Sequence, residues 1–122
     1  MKLISFVQPN FQQGPKELNS HYLPYSGGVL WSYVNQFPDI QSQYKLHNFV
    51  WKRDSIDESL ELIVDSDVVG FSTYIWNKNY NYVLAKKLRE ANPDCFIVFG
   101  GPEPPTTHKN FFEILGYAKN LG

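Results

Sequence analysis

An α/β fold, a doubly wound parallel sheet of about four strands, is what this sequence predicts, and three observations carry the prediction. Four short runs rich in β-branched and aromatic residues recur along the chain, at Lys2–Val7, Tyr44–Trp51, from Asp67, and Cys95–Phe99. Stretches with helical apolar spacing separate them, the alternation that sets strands parallel through crossover connections, each right-handed. The third run, Val68-Val69-Gly70-Phe71, is almost continuously apolar, as a central strand covered on both faces must be.

Lys2–Val7 reads as a short buried strand that ends at Gln8-Pro9-Asn10, because proline lacks the donor a strand interior needs. Residues 11–25 form a long connection with Gly14, Pro15 and Pro24, of a length that in compact domains usually serves function. Val29, Leu30, Tyr33, Val34 and Phe37 then fall at helical spacing, so a helix is expected to pack these residues on the sheet and to stop at Pro38. Tyr44–Trp51 alternates as a strand whose phase slips at His47-Asn48, and its polar positions suit a sheet edge. Ser55 followed by Glu58 is a capping-box start for a helix carrying Ile56, Leu60, Ile63 and Val64.

Tyr80–Ala91 is an amphipathic helix with Lys86, Lys87 and Arg89 near its carboxyl end, where cations complement the dipole, and Asn92-Pro93-Asp94 ends it. Cys95–Phe99 is the fourth strand, followed by Gly100-Gly101-Pro102-Glu103-Pro104-Pro105, and Lys109–Leu121 reads as a last helix weakened by Gly116. Flavodoxin-like doubly wound sheets usually have five strands, so the fifth is missing from this pattern.

With 122 residues the chain makes one domain with a core, and its 16% aromatic content gives it many rings to place. A net charge of −1 argues against a nucleic-acid-binding surface, which needs a basic face. A lone Cys95 excludes an internal disulfide and a multi-cysteine metal or iron–sulfur site, and points to a reducing, cytoplasmic compartment. The apolar run in Met1–Val7 is too short for a membrane span.

No dinucleotide fingerprint, P-loop, nucleophile elbow or paired metal-binding histidines occur, so no catalytic or metal-binding residue is assigned. In open parallel sheets ligands bind at the carboxyl ends of the strands. The loops placed there, 8–28, 72–79 and 100–105, are rich in rings, amides and glycines and poor in titratable groups. That composition suits a large, flat, mostly uncharged ligand better than acid–base chemistry.

Taken together, Tyr22-Leu23-Pro24-Tyr25-Ser26-Gly27-Gly28, Gly70-Phe71-Ser72-Thr73-Tyr74-Ile75-Trp76-Asn77, Leu84-Ala85-Lys86-Lys87-Leu88 and Gly100-Gly101-Pro102-Glu103 resemble the amino-terminal cobalamin-binding domain of cobalamin-dependent radical S-adenosylmethionine enzymes. The likeness runs over residues 1–105, leaving 106–122 as a divergent or truncated tail of the same single domain. It implies a Rossmann-like domain that holds the corrin across the carboxyl edge, with the nucleotide tail tucked into the sheet.

By that resemblance Ser72, Thr73, Tyr74, Trp76 and Asn77 approach the lower face of the corrin, with Trp76 best placed to cover cobalt. Gly100, Gly101, Pro102 and Glu103 line the tail, while Tyr25, Ser26 and Gly27 close the pocket and Pro9 and Asn10 complete it. The DxHxxG motif of the mutase and methionine-synthase type is absent: aligned on Gly14, Pro9 and Phe11 stand at the Asp and His positions, so no histidine ligand to cobalt is expected. The CxxxCxxC motif of the radical domain is absent too, so the resemblance implies a binding module without radical chemistry of its own, a truncated or split gene product or a fragment.

Its expected partners are cobalamin and a radical S-adenosylmethionine domain, or another chain pairing at the open sheet edge. Two other readings stand beside it: a flavodoxin-like domain for another flat cofactor such as flavin, and a partner-binding remnant. Trp76-Asn77 has a plainer account as a hydrophobic anchor and helix cap, and Gly100-Gly101-Pro102 as a tight strand exit.

Overall fold

The structure is a computed structural model that describes residues 1–10, 12–13, 20–21 and 24–104. Four parallel strands make its main sheet: β1 (Lys2–Val7), β4 (Tyr44–Val50), β5 (Val68–Ser72) and β6 (Phe96–Gly100), in the spatial order β4-β1-β5-β6. Between β1 and β4 lie a two-residue antiparallel pair, β2 (Gln12–Gln13) with β3 (Ser20–His21), then helices α1 (Tyr25–Val34) and α2 (Pro38–Gln43). Helices α3 (Ile56–Ile63) and α4 (Lys78–Ala91) provide the later crossovers. The strand order reverses between β1 and β5, which makes the carboxyl ends of these two strands the switch point of an α/β sheet.

Alternation along the strands divides the sheet into two unlike faces. Val7, Val69 and Phe71 point to one side, where they meet Ile63 of α3 and Leu84, Ala85 and Leu88 of α4 in a closed core. Ile4, Phe6, Val68, Gly70 and Val98 belong to the other side, with α1 above them. There the covering is incomplete: Phe96 on the edge strand is 66% exposed. The expectation that the third run is covered on both faces therefore holds only for its α3–α4 side, because α1 is the one helix over the other face among the described residues.

The first helix departs from its expected position. It starts at Tyr25, four residues early, and Val29, Leu30, Tyr33 and Phe37 are exposed instead of packing into the core. Gly27 is the residue that meets the sheet: a Cβ there would stand 2.9 Å from Phe6 Cβ and Phe49 Cε1, so the missing side chain sets the approach. The helix is apolar nearly all round, which leaves spacing alone unable to choose its buried face. Pro38 does end α1's pattern, but it does so as the first-turn residue of α2, where its lacking N–H is no loss.

Other details follow the sequence closely. The slip at His47-Asn48 is a register shift against β1, where Ile4 pairs with Leu46 and Phe6 with Phe49. Ser5 Oγ fills the gap, accepting from Asn48 N at 3.2 Å and meeting Ser66 Oγ at 2.8 Å. Ser55 Oγ accepts from Glu58 N at 3.2 Å at the start of α3. Tyr44–Val50 is an edge strand, and α4 stops at Asn92, whose side chain donates to the carbonyls of Val64 and Ser66. The helix expected over Lys109–Leu121 lies outside the described residues, and so does the segment Tyr22-Leu23.

Gly27→Ala tests the helix–sheet approach. Forcing a methyl against Phe6 and Phe49 should cost about 1–3 kcal/mol, read as a lowered urea midpoint at unchanged m-value.

Candidate functional site

At the carboxyl ends of β1 and β5 the two chains leave the sheet and are tied together by one side chain. Asn77 is 1% exposed, and its Nδ2 donates to the carbonyls of Pro9 and Ser72, both at 3.1 Å, while its Oδ1 accepts from Tyr74 N at 2.8 Å. One turn later on α4, Asn81 Nδ2 donates to the Ser72 carbonyl at 3.1 Å and to Thr73 Oγ1 at 3.0 Å. Asn77 does occupy the cap position of α4, yet its side chain makes no capping bond to the helix. It braces the loop instead, because the first exits of two strands need their carbonyls satisfied away from water.

Above this brace lies an aromatic platform. The Tyr74 and Trp76 rings stack at 4.6 Å with planes 6° apart, and Trp76 Nε1 donates to Oδ1 of the buried Asn10 at 3.2 Å. Just past the end of the neighbouring strand β6, Gly101 has φ +95° and would drive a Cβ to 2.4 Å from the Thr73 carbonyl oxygen. Only glycine takes that conformation at that distance. Thr73 N–H donates to the Gly100 carbonyl and Glu103 N–H to the Thr73 carbonyl, so the exits of β5 and β6 run together.

Between α1 and the open sheet face is a cavity of about 420 Å³. Ile4, Phe6, Val68, Gly70 and Val98 form the sheet side, and Leu30, Trp31 and Val34 the helix side. Gln8, Ser26, Ser72, Tyr74, Gly100 and Gly101 add the polar and backbone part of the lining. Among the described residues that line it there is no Asp, Glu, Lys or Arg. Its volume lies in the range of about 300–1,000 Å³ usual for small-molecule sites, and its walls are apolar as such sites are.

The structure brings Ser26, Gly27, Ser72, Tyr74, Gly100 and Gly101 of the expected site residues to this cavity. Trp76 does not line it but stacks on Tyr74, which does. Pro9, Asn10, Thr73 and Asn77 lie buried beneath the platform. Tyr25 is 77% exposed and borders a separate groove with Val29, Tyr33 and Phe49, and Pro102 is exposed beyond Gly101. Glu103 is half-buried, and its charge adds to burial in pushing the Tyr82 hydroxyl's pKa up.

Residue reasoning missed the apolar body of the cavity and Gln8. The signal for the body was present in the alternation Val68, Gly70 and Ser72, with a small residue opposite Phe6 and Val98 in the register. Gln8 is 8% exposed, and among the described residues its Oε1 accepts no hydrogen bond.

Among the described residues that line the cavity none is His, Cys, Asp, Glu, Lys or Arg. Burial raises the Cys95 thiol's pKa and, although a bond from Ser59 opposes it, that of Tyr80 as well; neither residue lines the cavity. His47 is engaged with Asp65 at 2.9 Å on the surface. Among the described residues no three His, Cys, Asp or Glu side chains converge as a metal site would require, and no helix is long and apolar enough to cross a membrane.

Over 100 residues the chain is 34% identical to the cobalamin-dependent radical SAM methyltransferase TokK of Streptomyces tokunonensis. It is 32% identical over the same length to a 2-(S-pantetheinyl)-carbapenam-3-carboxylate methyltransferase of Streptantibioticus cattleyicolor. Each match takes in 82% of this chain and 15% of the relative, so the chain spans only a small part of the proteins it resembles. No family model matches it.

Replacing Asn77 separates brace from cap. Asn77→Ala should lose about 1–3 kcal/mol in denaturant unfolding, and Asn77→Asp, a good helix cap, should do no better because its oxygens would face the Pro9 and Ser72 carbonyls.

Proposed function

We propose that this chain is a cobalamin-binding module, with the flat base of the nucleotide tail in the cavity between α1 and the sheet and the corrin lying over the Tyr74–Trp76 platform. The observation that carries the reading is the uncharged, apolar cavity of about 420 Å³ opening at the sheet's switch point. A benzimidazole-type base is flat, neutral and apolar, and walls of Ile4, Val68, Val98 and Leu30 suit it. The similarity to a cobalamin-dependent radical SAM methyltransferase supports cobalamin as the ligand.

The residues fit this group in two further ways. Gly70 lets the Phe6 ring lie close against the sheet, and Gly100, where an added Cβ would meet only the Phe71 carbonyl at 4.0 Å, leaves the lining without a side chain where the tail would enter. When bound, cobalamin supplies methyl-transfer or redox chemistry at cobalt. This chain's own share is to hold and orient it and to keep water from the base. Trp76, fixed by its bond to Asn10 and its stack on Tyr74, offers a rigid ring to the corrin's lower face. The radical chemistry of such enzymes would come from a companion domain or chain.

Titration of the purified chain with cobalamin, followed by visible absorption, tests this. Saturable binding with a spectrum free of histidine-to-cobalt ligation is expected, with no comparable binding of flavin mononucleotide. Val98→Trp, which fills the cavity from an edge strand, should weaken binding by about tenfold or more while the fold persists. Binding of flavin alone, or of neither cofactor by folded protein, contradicts the assignment.

A further inference from the structure

Gln8 is the first residue past β1, with its backbone N–H bound to the Val50 carbonyl at 2.8 Å. Its side chain lines the cavity, is more than nine-tenths buried, and leaves Oε1 without a donor. The other orphaned carboxamide oxygen, on Asn81, has a structural reason: that amide's nitrogen is occupied by Ser72 and Thr73. Gln8 has no such compensation, since its side chain makes no hydrogen bond among the described residues. A buried acceptor left unpaired in a binding cavity marks the place where a ligand brings the donor.

We propose that Gln8 is the residue that selects the ligand's tail, its side-chain oxygen accepting a hydrogen bond from a sugar hydroxyl of the nucleotide. This rests on the cobalamin reading. Gln8 follows the end of β1 and shares the polar part of the cavity lining with Ser72 and Tyr74, the part suited to the polar group that joins the base to the rest of the ligand. Of the parts of that tail, the dimethylbenzimidazole has no N–H, the phosphate is an anion without a donor, and the linker amide beyond the phosphate is kept in cobinamide. The sugar carries hydroxyls. A site built to hydrogen-bond a hydroxyl discriminates strongly against a ligand lacking it, because its own polar atom then stays unpaired.

The test uses Gln8→Met, close in size and without the amide, and Gln8→Leu as a second apolar variant. Both are titrated with cobalamin and with cobinamide, which lacks the nucleotide, and the melting temperature of each ligand-free chain is measured. The proposal expects cobalamin affinity to fall about tenfold in both variants, cobinamide affinity to stay within about twofold, and the ligand-free chain to melt no lower than wild type. A role in the fold alone would lower the melting temperature instead and overturns it. Equal losses for both ligands place Gln8 against the corrin and overturn it, as does unchanged cobalamin affinity. If wild type itself does not prefer cobalamin to cobinamide, the tail-in-cavity reading fails first and the proposal with it.

Discussion

A single buried carboxamide holds the working edge of this protein in place. Asn77 joins the exit of β1 to the exit of β5, two segments that meet only because the chain has folded, through bonds to Pro9, Ser72 and Tyr74. Away from water such bonds are strong when made and costly when broken. Everything above them inherits their geometry: Tyr74 is set by its backbone bond to Asn77, Trp76 stacks on Tyr74, and Asn10 receives the Trp76 indole. Asn81 adds a second layer one helical turn further, so the platform rests on α4 and not on a free loop.

The two faces of the sheet divide the labour. Against α3 and α4 the side chains close into a core with Phe71, Ile63, Leu84 and Leu88 fully or almost fully buried, and this side supplies rigidity. Against α1 the contact is tight only where Gly27 meets Phe6 and Phe49. Elsewhere Leu30, Trp31 and Val34 face Val68, Gly70 and Val98 across open space. The helix thus touches the sheet closely at Gly27 and stands off it along the cavity.

How much of this the sequence disclosed depends on whether the information was local. Strand positions, the Ser55 cap, the edge character of Tyr44–Val50 and the slip at His47-Asn48 were legible because each is written in adjacent residues. The carboxyl-edge loops were identifiable from topology, and so were Ser72, Tyr74, Gly100 and Gly101 as candidates. The buried face of α1 was not, because a helix apolar all round carries no phase. Nor could spacing show that Asn77 braces a loop instead of capping a helix, or that Gln8 ends in a wall with no partner, since both depend on residues far away in the chain.

The central claim is the position of the cofactor's base, and the most direct measurement is an NMR spectrum of the chain bound to diamagnetic cobalamin with methyl groups of Ile, Leu and Val labelled. The account predicts nuclear Overhauser contacts from the two benzimidazole methyls to Ile4, Leu30, Val68 and Val98. Contacts confined to Tyr74 and Trp76, or to the outer face of α1 at Val29 and Tyr33, would place the base outside the cavity and contradict it.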